Sequence, residues 1–226
     1  MNSAILVAAG KGTRMGAGVD KLFLEVAGRP VVAHTWQRFE DANCIGEIIL
    51  VVRQERRRTF EELAAKFHFQ KPFRIVTGGE ERQDSVWNGL EALLASAKVV
   101  AIHDAARPCV SGELIAATVK HAVETGAAVA AQPVTDTIKE SADGRFIRRT
   151  LDRSQLWSVQ TPQTFRVEVI CRALAEVRRR QLIFTDDTAA CELIGQPVRL
   201  VSHVAPNPKV TVPGDLPLIE ALLQSV

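Results

Sequence analysis

The chain has 226 residues, 46% hydrophobic and 24% charged, proportions that suit one α/β domain with an elaboration and a large core. A formal net charge of +2 is too small to point to nucleic acid or an anionic membrane surface, so any anion site must come from local clustering. No apolar run approaches the ~20 residues of a membrane span, and Ile5-Leu6-Val7-Ala8-Ala9 is too short for a secretory signal, so a cytoplasmic location is expected. Cys44, Cys109, Cys171 and Cys191 lie far apart, with no C-x-x-C pair and no His at ligand spacing; they read as free thiols, not as zinc ligands or a disulfide framework.

Short apolar, β-branched runs alternate with stretches of helical period. Strands are predicted over 3–8, 47–52, 73–76, 99–102 and 127–131. Helices are predicted between them over 30–41, 54–67, 84–97 and 111–124, with Ser111 a natural N-cap. This rhythm is that of right-handed βαβ crossovers and a mostly parallel sheet, a Rossmann-like α/β fold whose ligands sit beyond the carboxyl ends of the strands. It breaks at Asp136. Thr137-Ile138-Lys139 and Phe146-Ile147-Arg148 flank Ser141-Ala142-Asp143-Gly144, an x-D-G-x hairpin signal, so 137–153 is expected to form a polar β-hairpin arm. A strand over 156–160, helices over 167–180 and 187–194, a strand over 198–203 and a helix from Asp215 complete the single domain expected over 1–226.

Three loops after strands carry chemistry. Ala8-Ala9-Gly10-Lys11-Gly12-Thr13-Arg14-Met15-Gly16, with Lys21 beyond, combines glycines that let backbone N–H groups approach an anion with cations suited to a polyphosphate. A dinucleotide fingerprint would need Gly where Met15 stands, and a P-loop needs four residues before Gly-Lys-Ser/Thr. A plain tight turn accounts for the glycines but not the cations. Gly78-Gly79-Glu80-Glu81-Arg82-Gln83-Asp84-Ser85 presents backbone groups and a hydroxyl to a planar ligand, or simply caps a helix. In Ile102-His103-Asp104-Ala105-Ala106-Arg107-Pro108 a carboxylate ends a central strand, well placed for Mg²⁺ shared with substrate phosphates; Asp104 and Arg107 could equally be a structural pair. Lys209, taken alone, reads as a solvated surface residue.

Together these segments resemble one family. Ala8-Ala9-Gly10-x-Gly12-x-Arg14-Met15 with Lys21, Gly78-Gly79-x-x-Arg82-x-x-Ser85-Val86, His103-Asp104-Ala105-Ala106-Arg107-Pro108, Pro133-Val134-x-Asp136-Thr137-Ile138-Lys139, Gln160-Thr161-Pro162-Gln163-x-Phe165 and Lys209-Val210-Thr211 follow in the order found in 2-C-methyl-D-erythritol 4-phosphate cytidylyltransferases of the non-mevalonate isoprenoid pathway. The resemblance covers residues 4 to about 216.

It implies a nucleotidyltransferase in which Arg14 and Lys21 meet the phosphates of CTP and Asp104 stands near Mg²⁺ and the ribose. Gly79, Glu80 and Ser85 would face cytosine, with Ala8, Ala9, Gly10, Gly12 and Ala105 also on the CTP side. Arg107, Thr137, Arg153 and Lys209 would hold methylerythritol phosphate. It further implies a homodimer with exchanged arms. A ribitol-5-phosphate cytidylyltransferase and a catalytically silent nucleotide-binding regulator are the alternatives. Two positions depart from the pattern: Leu22 stands where Gln is usual, and Pro208 where Ile is usual.

Overall fold

A computed structural model describes residues 1–10 and 20–224. Its strands are β1 (Asn2–Val7), β2 (Glu25–Val26), β3 (Arg29–Pro30), β4 (Glu47–Val52), β5 (Phe73–Thr77), β6 (Val99–Asp104), β7 (Ala127–Pro133), β8 (Lys139–Glu140), β9 (Arg149–Thr150), β10 (Trp157–Arg166) and β11 (Arg199–Ser202). The helices are α1 (Val31–Asp41), α2 (Arg57–Phe67), α3 (Arg82–Glu91), α4 (Gly112–Thr125), α5 (Val167–Arg179), α6 (Asp187–Leu193) and α7 (Leu216–Gln224). A seven-stranded sheet runs β11-β7-β10-β6-β1-β4-β5, parallel throughout except for β10, which is antiparallel to both β6 and β7.

The period of two in the strands divides the core between two faces. Ala4 and Leu6 of β1, with Ile48, Leu50 and Val52 of β4, pack beside Trp36, Phe39 and Phe60 from α1 and α2. Ile5, Ile49 and Val51 point the other way, onto Val86 and Leu90 of α3 and the α5 face of Val169, Ile170 and Ala173. Every residue of β4 is buried, as a strand covered on both sides by helices must be. Trp36 stacks on Phe69 at 4.3 Å and meets Phe73 edge-on at 5.1 Å, tying α1 to the segment that leads into β5.

Three expectations need correction. The helix predicted over 84–97 is Arg82–Glu91. It starts earlier because Asp84 accepts the Glu81 N–H at 3.2 Å as part of its first turn. It stops early because the buried Glu47 carboxylate, already holding Ser3 Oγ at 2.7 Å, takes the Leu94 N–H at 3.1 Å and draws the chain off the helical path. The strand predicted over 156–160 continues to Arg166. Pro162 lies where the β10–β7 register shifts between Val159 and Gln163, so its missing N–H leaves no gap in the ladder. In the arm, which is a hairpin as expected, the strand register pairs Lys139 with Thr150 and Glu140 with Arg149, while of the segment 146–148 Arg148 donates its N–H to the Glu140 carbonyl at 2.8 Å. The turn is wider because Asp143 accepts the N–H groups of Arg145 and Phe146, leaving Phe146 and Ile147 exposed.

The end of β6 is fixed from below by a short relay. The Asp104 N–H donates to Thr161 Oγ1 at 3.2 Å, and that hydroxyl donates to His103 Nδ1 at 3.0 Å. His103 Nε2 stands 3.1 Å from the Arg107 carbonyl, which can only accept, so Nε2 carries the ring proton. Burial pushes the His103 pKa down to about 4, in keeping with a neutral ring in this relay.

Phe165 is fully buried on the antiparallel strand, against α5. Phe165→Ala is expected to destabilise the fold by about 3–5 kcal/mol in urea unfolding, the usual cost of emptying such a site; a loss below ~1 kcal/mol would contradict this packing. All four cysteines are free. Burial, with the nearby Asp187 carboxylate, pushes the Cys191 thiol up to about 12. In native protein at pH 8 a thiol reagent should therefore label Cys191 last of the four, and rapidly only after unfolding, as peptide mass spectrometry would register.

Candidate active site

A cavity of about 600 Å³ opens among the described residues where β1, β4, β5 and β6 end. This is the place an open, doubly wound sheet offers a ligand, because the loops diverge there. Ala8, Ala9 and Gly10 after β1, the turn after β5, and Asp104 of β6 all line it, together with Lys21 and Lys209. Gly12 and Arg14 lie outside the described residues.

The turn after β5 is built by close approach. The Gly78 N–H donates to the Val52 carbonyl at 2.8 Å, and the Gly79 N–H donates to Ser85 Oγ at 3.1 Å. A Cβ on Gly78 would stand 2.3 Å from the Ala9 Cβ, and one on Gly79 would stand 2.3 Å from the Asp84 Cβ. Only residues without side chains let the two loops meet as one surface. Glu80 lines the cavity; Ser85 also lines it but is nearly buried, its hydroxyl held as acceptor and its proton still available to donate.

At the other wall the Asp104 carboxylate gathers three cations. Lys209 Nζ donates to Oδ2 at 2.7 Å, Arg107 Nε lies 3.8 Å from Oδ2, and Arg82 Nε lies 3.7 Å from Oδ1. Burial opposes its charge, but Lys209, Arg82 and Arg107 outweigh that and hold its carboxyl well below the usual carboxylate range. The Asp104–Arg107 pair is thus present, but as part of a larger cluster. A second cavity of about 230 Å³ adjoins the first, and Arg82, Asp104 and Lys209 line both. Arg107 and Gln160 belong to the second.

Both departures from the family pattern become intelligible. Leu22 is buried in the core, so the short 3-10 turn Lys21–Phe23 is anchored by Leu22 while Lys21 Nζ reaches the Val210 carbonyl at 2.7 Å. Asp20, bound by Arg53 and Arg56, caps that turn. Pro208 does not keep Lys209 from Asp104. Its neighbours are pinned: Asn207 Nδ2 donates to the Thr161 carbonyl at 2.8 Å, the Asn207 carbonyl accepts Arg107 Nη1 at 2.7 Å, and the Val210 N–H donates to the Ala106 carbonyl at 2.8 Å.

Other expected residues stand apart. Ala105 is fully buried with its N–H on Val7 and its carbonyl accepting from Thr35; Ala106 takes its place on the cavity wall. Thr137 and Arg153 are exposed on the arm and line neither cavity of this chain; Arg153 Nη1 donates to the Thr135 carbonyl at 2.5 Å. Arg82, singled out in a motif but given no role by sequence, sits at the centre of the site. No sequence signal pairs it with Asp187, which is 105 residues away.

The family model of 2-C-methyl-D-erythritol 4-phosphate cytidylyltransferase matches residues 3–225. A protein of that name from Geobacillus kaustophilus is 46% identical over 98% of this chain and 96% of its own length. The solved 4-diphosphocytidyl-2C-methyl-D-erythritol synthase of Anaerococcus prevotii superposes with a TM-score of 0.87 at 30% identity, covering 99% of this chain and 96% of that one. The cytidylyltransferase structure from Thermus thermophilus gives 0.79 at 33% identity, with 99% and 100% covered. With its glycine-built turn, its cation cluster and these likenesses, the chain belongs to the 2-C-methyl-D-erythritol 4-phosphate cytidylyltransferase family.

Proposed function

We propose that this chain transfers the cytidylyl group of CTP to 2-C-methyl-D-erythritol 4-phosphate, giving 4-diphosphocytidyl-2-C-methyl-D-erythritol and pyrophosphate. The observation that carries the reading is the pair of adjoining cavities that share Arg82, Asp104 and Lys209, one deep enough for a nucleotide and the other smaller and polar. In this reading the cytosine rests against Gly79, Glu80 and Ser85. The triphosphate lies over Ala8, Ala9 and Gly10 toward Lys21, the family resemblance adds Arg14 as a partner of the same phosphates, and the sugar phosphate meets Arg107 and Lys209. A phosphate oxygen of the acceptor attacks the α-phosphorus in line as the bond to pyrophosphate breaks. No covalent enzyme intermediate is needed: the residues position two anions that repel each other and offset the added charge.

Among the described residues no three His, Cys, Asp or Glu side chains gather into a metal cage. One carboxylate beside substrate phosphates is nevertheless the common Mg²⁺ arrangement. With Oδ2 held by Lys209, Asp104 would offer Oδ1 to such an ion, which would supply further neutralisation of the triphosphate charge. Incubation with CTP, Mg²⁺ and methylerythritol phosphate should release pyrophosphate, whereas GTP as donor or ribitol 5-phosphate as acceptor should release little. Equal release with GTP would remove the cytosine role of the 78–85 turn, and preference for ribitol phosphate would overturn the acceptor.

We further propose that the active unit is a homodimer with exchanged arms, each site taking Thr137 and Arg153 from the partner. That these two residues line neither cavity of their own chain supports this, as do the exposed Phe146 and Ile147 on a hairpin of two-residue strands. Lys21→Ala and Arg153→Ala variants should each be inactive alone. After subunit exchange, about half the dimers would be mixed, each with one intact site, so roughly a quarter of full activity should return. If none returns after proven exchange, the shared site is wrong.

A further inference from the structure

Asp187, the first residue of α6, is the most deeply buried carboxylate beside the site, and it lines neither cavity. Its N–H donates to Gln163 Oε1 at 2.8 Å, which fixes it to β10, and its Oδ2 accepts Arg82 Nη1 at 2.8 Å. The side chain of Asp187 is 1% exposed and that of Arg82 24% exposed. Arg82 therefore bridges two acids: Asp187 behind it, and Asp104 in front at 3.7 Å. Asp104 Oδ2 is occupied by Lys209 and faced by Arg107, so Oδ1 is the edge that Arg82 controls.

A guanidinium is a rigid fork. When one arm is held by a buried carboxylate, the direction of the rest is set. The wall between the two cavities is made by Arg82, Asp104 and Lys209, and any transfer from one cavity to the other passes along it. We propose that Asp187 is a positioning residue: by anchoring Arg82 it fixes the orientation of the Asp104 carboxylate and keeps the cationic wall aligned where the two substrates meet. The inference rests on the cytidylyl-transfer reading and deepens it.

Asp187→Asn keeps shape and an acceptor but removes the charge that holds the fork. Its kcat for pyrophosphate release should fall by about 10- to 100-fold, the scale of small misplacements at a reacting centre. The KM for CTP should stay within about threefold, because the hydrogen bonds that shape the base-facing part of the turn, Gly78 N–H to Val52 and Gly79 N–H to Ser85, do not involve Asp187. Asp187→Glu restores the carboxylate and should recover most of the kcat. Arg82→Lys keeps a cation but cannot span both acids, so it should lose kcat to a similar degree even if Asp187→Asn folds poorly. Adding Asp187→Asn to Arg82→Lys should then cost little more, since the two act as one unit. All assays run well below each variant's unfolding midpoint.

Wild-type protein tested alongside separates the two claims: absent wild-type turnover defeats the transfer reading itself. With wild-type turnover present, three outcomes would each overturn the positioning role. These are an unchanged kcat in Asp187→Asn, no recovery in Asp187→Glu, and losses that multiply in the double variant.

Discussion

One half-buried carboxylate organises this molecule's charged site. Asp104 ends β6 in the middle of the sheet and is held ionised by Lys209, Arg82 and Arg107. Each cation arrives from a different part of the fold: the loop before α7, the first turn of α3, and the turn after β6. Arg82 is shared with Asp187, so two carboxylates stand against three positive groups and the cluster itself keeps an excess positive charge. Such a cluster is suited to polyanions, and it forms without any help from the chain's small net charge.

The rest of the fold holds that arrangement in place. Below Asp104 the Thr161–His103–Arg107 relay satisfies the Asp104 N–H, the Thr161 hydroxyl and both His103 ring nitrogens in a region closed to water. His103 must stay neutral for the relay to work, and burial ensures it. Phe39 rests against the His103 ring at 4.9 Å, linking the helical layer of α1 to the site floor. Asn207 joins β10 to the loop that carries Lys209. The antiparallel strand β10 thus matters for function: its irregular middle places Thr161 and Gln163 under the two acids, Asp104 and Asp187.

Opposite the cluster, the constraint is steric. Ala9 and Gly78 come so close that neither loop tolerates bulk, and the Gly79 N–H is aimed by Ser85. A close-packed surface results, on which the Ser85 hydroxyl can still donate, facing a wall of charge. The likeness between this division and the two halves of a nucleotide, base and phosphates, is what supports the transfer reading.

Much of this was legible in the sequence. The continuous apolar run that makes Glu47–Val52 a strand buried on both faces, Ser111 capping α4, and the loops at strand ends all follow from local side-chain chemistry, which acts over a few residues. The motif glycines and Asp104 were visible for the same reason. What the tertiary structure decided were the pairings between distant segments. Glu47 ends α3 early by capturing Leu94 N–H, and a register shift carries β10 through Pro162. Lys209, which alone reads as a solvated residue, is drawn to Asp104, and Arg82 finds Asp187. The partners in these last two pairs lie 105 residues apart. Their attraction exists only once the fold removes water and brings the charges within hydrogen-bond distance, and no local pattern encodes that.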